Sequence, residues 1–149
     1  MLCSLLHVAG PMTSFYVFAP NNTPARGLLR VKFHGYRTNH GNEYDFNTGV
    51  FTAKHAGIYY FAAQLRNQYS MNTFISVSMD CGYLTKFAMK IKTTRYEQIG
   101  AWNAKQTGST LQVVLKLRAR NRCWISFGAR KKVKLHHHSY FNGFLMAKF

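Results

Sequence analysis

Eight lysines and arginines fall within nineteen residues, Lys116–Lys134, with no acidic side chain among them. They are Lys116, Arg118, Arg120, Arg122, Arg130, Lys131, Lys132 and Lys134. Lys116 and Arg118 alternate with Leu115 and Leu117, so a strand there carries them on its outer face. Arg120 and Arg122 extend the charge into a hairpin, and the remaining four occupy the next connection. Arginine forks grip sulfate, phosphate and carboxylate bidentately, which makes this segment a candidate polyanion-binding patch. The competing reading is a solvated face kept soluble by its charge.

His136-His137-His138 follows directly. In extended backbone His136 and His138 share a side, and a threefold axis could gather copies into a zinc or copper site. A polar connection, or a pH-dependent addition to the basic patch, is the plainer reading. A divalent metal is therefore a candidate, and no other cofactor is implied. Asn21-Asn22-Thr23 is one glycosylation sequon, at Asn21, followed at once by Pro24. Catalysis finds no support. Four acids, Glu43, Asp45, Asp80 and Glu97, leave few carboxylate pairs, and no nucleophile motif links the serines, histidines and cysteines.

The 149 residues carry 20 basic side chains for a net charge of +16, and the excess is concentrated after residue 83. Such a field attracts anionic glycans, lipids and proteins alike. Specific nucleic-acid recognition lacks its usual helical reader or aromatic motif. With 47% hydrophobic residues the chain can bury a core, and its length suits one domain. No apolar run approaches a membrane span. Residues 1–12 read as a disordered lead-in or precursor remnant, and 13–149 as the domain.

Short runs of aromatic and β-branched residues recur between turn signals, the pattern of an all-β sandwich. Strands are expected at Ser14–Ala19, Leu28–Phe33, Tyr44–Phe46, Val50–Ala53, Ile58–Arg66, Thr73–Met79, Leu84–Ile91, Tyr96–Asn103, Thr110–Arg118, Cys123–Phe127 and Tyr140–Ala147. The polar stretch Thr38–Glu43 reads as a connection, and Asp80-Cys81-Gly82-Tyr83 as a hairpin turn. About ten strands suit a two-sheet jelly roll. Three cysteines leave at least one unpaired within the chain. Alternation points Cys123 inward beside Ile125 and Phe127, which predicts a buried free thiol. Cys81, in its turn, is the candidate for a bond to Cys3 or to another chain.

The order Phe33, Asn39, Tyr44, Phe51, then Gly57-Ile58-Tyr59-Tyr60-Phe61 resembles the signature of the C1q globular domain. Gly108-Ser109, Leu115-Lys116-Leu117, Cys123-Trp124-Ile125 and the closing Tyr140-Phe141-Asn142-Gly143-Phe144-Leu145 resemble its later strands in the same order. Two positions depart: Ala63 stands for the last aromatic of the signature, and Arg120-Asn121 for the usual Gly-Asp. The resemblance implies a secreted, ten-stranded jelly roll of the C1q and tumour necrosis factor type, forming homotrimers and binding without catalysis. On it, Phe33, Asn39, Tyr44, Phe51, Gly57, Tyr59, Phe61, Gly143 and Phe144 make the signature and core. The expected function is multivalent recognition of lipopolysaccharide, sulfated or acidic glycans, or acidic protein surfaces in innate-immune pattern recognition. A structural or adhesive matrix protein and a receptor-binding, cytokine-like ligand are the alternatives.

Overall fold

The structure is a computed structural model that describes residues 13–19, 23–25, 29–66, 75–82, 88–93, 97–99, 106–129 and 133–149. Along the chain run β1 (Ser14–Phe18), β2 (Thr23–Ala25), β3 (Leu29–Arg30), β4 (Gly35–His40), β5 (Tyr44–Asp45), β6 (Val50–Thr52) and β7 (Gly57–Arg66). They are followed by β8 (Ile75–Gly82), β9 (Ala88–Thr93), β10 (Glu97–Ile99), β11 (Gln106–Leu117), β12 (Arg122–Ala129), β13 (Val133–Leu135) and β14 (Tyr140–Lys148). One sheet has the order β10-β11-β7-β14-β1-β4. The second has the order β5-β6-β12-β8-β9, with β3 also on β12, and β13 and β2 form a separate ribbon. This is the expected two-sheet jelly roll.

Alternation decides which side chains meet between the sheets. In β1 the Ser-Phe-Tyr-Val-Phe order buries Phe15 and Val17 and leaves Ser14, Tyr16 and Phe18 half-covered. In β7 Tyr59, Phe61, Ala63 and Leu65 turn inward. Phe15 then lies 5.2 Å from Phe51 of the second sheet and 4.8 Å from Phe141. Phe51 meets Phe61 edge-on at 5.2 Å, so aromatic rings from both sheets form one layer.

Glycine makes room for that layer. A Cβ on Gly143 would stand 2.5 Å from the Phe61 ring and 2.9 Å from Phe15. Gly49 instead closes the turn after β5 at φ 73°, donating its N–H to the Asp45 carbonyl at 2.8 Å. The other signature residues are also structural. Asn39 clamps the backbone of Tyr44, donating to its carbonyl at 2.9 Å and accepting from its N–H at 3.3 Å. The Tyr44 hydroxyl accepts the Phe33 N–H at 3.0 Å, and burial lifts its pKa far above the usual phenol range.

Three elements lie where no strand was expected: β2, β13 and β4. The last was read as a polar connection because β4 is an edge strand beside β1, largely wetted, with little need for apolar residues.

The cysteine expectations are corrected. Pairing with both β9 and β12 carries β8 through Gly82, so Cys81 stands in a strand rather than a turn. Cys81 is the direct cross-strand partner of Cys123, and the two are disulfide-bonded. Cys123 does point inward, but as half of a buried bond and not as a free thiol. The bond joins cysteines 42 positions apart in the sequence. Phe144 is a second correction, being 44% exposed on the opposite side of β14 from Phe141 and Gly143.

Glu43 is a buried acid. Its Oε1 accepts the Thr13 hydroxyl at 2.9 Å, and Oε2 has no hydrogen-bond partner among the described residues. Burial raises its pKa above 4.5, opposed by the Thr13 bond, a backbone bond from Lys54 and the charges of His55 and Lys54. A raised carboxyl stabilises the fold most below its unfolded pKa and loses that contribution as pH rises through the folded value.

Two outcomes follow from this packing. Replacing both Cys81 and Cys123 with serine should lower unfolding free energy by about 2–4 kcal/mol in urea titrations, and reductant should reproduce the loss in the parent. Glu43→Gln should flatten the fall in melting temperature as pH rises above the usual carboxylate range. A fall of the same size in Glu43→Gln would show that Glu43 is not the group responsible, and a flat parent curve would show that its carboxyl is not raised.

Candidate ligand-binding surfaces

Hairpin Arg118–Asn121 joins β11 to β12 and rests on the residue after β6. Arg120 donates its N–H to the Ala53 carbonyl at 2.7 Å, and the Asn121 carbonyl accepts from Ala53 at 2.9 Å. Within the turn, Asn121 Oδ1 accepts the Arg118 N–H at 2.6 Å. Arg120 takes φ 71°, in the left-handed region. That conformation costs a residue bearing a Cβ about 1–2 kcal/mol. The strain thus falls on Arg120, while Asn121 holds the turn with its side chain.

Lys116, Arg118 and Arg120 are exposed here and Arg122 is partly covered. The Lys116 ammonium also lies 4.7 Å from the Phe149 ring. Folding adds two cations that linear clustering missed. Lys54 follows Ala53 and reaches the Gly41 carbonyl, and Lys148 is the register partner of Gly57 at the same end. Only strand register could have revealed them. Lys134 does not join this group. It sits in β13, just before His136, whose N–H bonds the Arg66 carbonyl at 2.8 Å. Leu117 pairs with Gly57 at the opposite end of β7, roughly 30 Å away along ten extended residues. Arg130, Lys131, Lys132 and Asn21 lie outside the described residues, as do Cys3 and the lead-in 1–12.

The outward side of the six-stranded sheet is a second surface. Register aligns Val114, Tyr60 and Phe144 in one row across β11, β7 and β14. The Tyr60 and Phe144 rings lie 5.2 Å apart. Val114 is 55% and Met146 54% exposed. The same strands that bury aromatics inside therefore display them outside.

His136-His137-His138 forms a turn and not extended backbone, which corrects the expected same-side geometry. Ser139 donates its N–H to the His136 carbonyl at 2.8 Å. Its buried hydroxyl accepts the Arg66 N–H at 2.9 Å, locking the turn onto β7. Ring nitrogens of the three histidines lie within 4.8 Å of one another. Two of the three rings, however, have a lone pair in use. His136 Nδ1 accepts the His138 N–H at 3.2 Å, and His138 Nδ1 faces Arg66 Nη1 at 3.2 Å. A guanidinium only donates, so both rings keep their proton on Nε2. Burial first, then neighbouring histidines and Arg66, lower the pKa of His136; burial, His137 and Arg66 lower that of His138. A divalent ion would have to displace Arg66 and sit beside its charge. The arrangement fits donated hydrogen bonds better than metal ligation.

A C1q domain family model matches residues 14–146. No curated protein gives a significant sequence match. Among solved structures, the globular domain of zebrafish complement 1qA protein aligns with TM-score 0.69 and 20% identity, over 92% of this chain and 99% of that one. The structure of Eiger TNF from S. frugiperda aligns with TM-score 0.65 and 16% identity, over 93% of each chain. Murine APRIL at pH 8.5 aligns with TM-score 0.61 and 14% identity, over 93% of this chain and 99% of that one. These identities speak to the fold alone, but the family match spans nearly the whole chain. With its signature aromatics in the core, its clamping Asn39 and its crowded Gly143, the chain belongs to the C1q domain family.

Proposed function

We propose that this C1q-domain protein is a secreted recognition module that assembles as a homotrimer and binds anionic surface ligands without catalysis. The observation that carries the reading is the Arg118–Asn121 hairpin. An arginine occupies its left-handed position, where glycine would fold at less cost, and Lys54, Lys116, Arg118, Arg122 and Lys148 stand around the same end. Backbone strain retained beneath a charged side chain favours a role for that charge over a merely solvated face.

The mechanism is charge-assisted hydrogen bonding from lysine and arginine to sulfate, phosphate or carboxylate groups. Lipopolysaccharide, sulfated or acidic glycans and acidic proteins share those groups. The outward row of Val114, Tyr60 and Phe144 is suited to two further copies of the chain, since an exposed apolar stripe on a family sheet favours burial against its own kind. Three hairpins would then face a repetitive surface together, with avidity beyond that of one. Among the described residues no helix is long and apolar enough to cross a membrane. The cross-strand disulfide accords with an oxidising, extracellular setting.

Retention on a heparin-like matrix is expected to weaken steeply between low and high salt, as exposed charges are screened. Arg120→Gly should separate stability from binding. Unfolding free energy should rise by about 1 kcal/mol as the strained residue is relieved, while retention falls. Retention unchanged by salt, or unchanged in Arg120→Gly, would exclude the hairpin as the binding element.

A further inference from the structure

The outward side of the second sheet carries a tryptophan that neither surface above uses. Trp124 of β12 is only partly buried, and Val50 of β6 is its direct register partner. Alternation turns both away from the side of Phe51, Cys123 and Ile125, which fill the core. Val50 is nevertheless only 6% exposed, so this sheet closes over an apolar spot on its solvent side. Arg30 of β3 completes it. Val31 is buried, so alternation puts Arg30 and Lys32 outward, and both are exposed. The Val31 N–H donates to the Ile125 carbonyl at 2.8 Å, which fixes β3 beside the tryptophan. Arg30 pairs with Ser126, two residues beyond Trp124, and its guanidinium lies 4.4 Å from the Trp124 ring centre.

We propose that this face docks a segment of a partner protein that carries an aromatic side chain flanked by acids. A guanidinium stacks through both of its planar faces, and Trp124 occupies one of them here. No hydrogen bond or ion pair holds the Arg30 guanidinium among the described residues. Its second face is therefore open to another ring, and its N–H edge to a carboxylate. Tryptophan and arginine over apolar ground are the residues that dominate binding at protein interfaces. Charge sets the sign of the flanks. Register places Asp45 and Asp80 in the Trp124 row, but Asp80 stands opposite Lys90, and Arg30, Lys32 and Arg122 leave cations in excess. A second copy of the chain would bring those cations against themselves. A trimer joined through Val114, Tyr60 and Phe144 buries the outer side of the other sheet. This face stays open in that assembly and in a lone chain alike.

An acidic glycan has no aromatic ring, so the ring separates this inference from the polyanion reading. The test is calorimetry on the full chain in its native assembly with two peptides, acetyl-Glu-Tyr-Glu-amide and acetyl-Glu-Ala-Glu-amide. They carry the same charge, and the tyrosine peptide should bind about tenfold more tightly. The indole N–H resonance of Trp124, assigned by its loss in Trp124→Phe, should shift with the tyrosine peptide and not with its alanine counterpart. Arg30→Lys keeps the charge and removes the planar face. It should abolish the tenfold preference, while melting temperature and heparin retention stay unchanged. Arg120→Gly should keep the preference while heparin retention falls, so the two readings fail separately. Equal affinity for the two peptides, no binding of either, or a preference kept in Arg30→Lys would overturn the inference.

Discussion

The structure depends on one layer of aromatic rings pressed between two sheets. Phe15, Phe51, Phe61 and Phe141 touch across the sandwich, and Gly143 is the space that lets Phe61 and Phe15 close over β14. Each fully buried ring contributes on the order of 2–3 kcal/mol by removal from water. The layer also sets the register of β1, β7 and β14, because slipping any strand by one residue would turn its rings to solvent. What faces outward is then determined as strictly as what faces inward. Tyr60 and Phe144 are displayed because Tyr59, Phe61 and Gly143 are not.

The two ends of β7 have different chemistry as a result. At Gly57 the sheet gathers the hairpin, the lysine after β6 and the lysine near the C-terminus into one cationic rim. At Arg66 it gathers a histidine turn, two arginines and a tyrosine pair into a groove. A disulfide between neighbouring strands braces the second sheet and leaves the first free to present its outer face. The basic segment of the sequence is thereby divided. Lys116 to Arg122 serve one end, and Lys134 stands near the other.

The core was legible in the sequence because period-two alternation and buried aromatics leave a strong local signal. Leu111, Leu115 and Leu117 turn inward as their spacing implies, and Phe33, Tyr44, Phe51, Tyr59 and Phe61 are all buried. The failures have a common cause in pairing between distant strands. Cys81 was read as a turn residue because Gly82 follows it, yet neighbours on both sides keep β8 extended. Phe144 was read as core by its motif, although the glycine before it takes the inward position. The histidine triplet was judged by an extended backbone, whereas Ser139 and Arg66 hold it as a turn. Lys54 and Lys148 carry no local mark of their partnership with the hairpin.

A trimer that arrays cationic rims is the central claim, and it rests on the outward row of Val114, Tyr60 and Phe144. Sedimentation equilibrium of the unmodified chain at physiological salt tests it most directly. A single species of three times the 17.1 kDa chain mass is the predicted result. A monomer at micromolar concentration, or open-ended association without a discrete species, would contradict it.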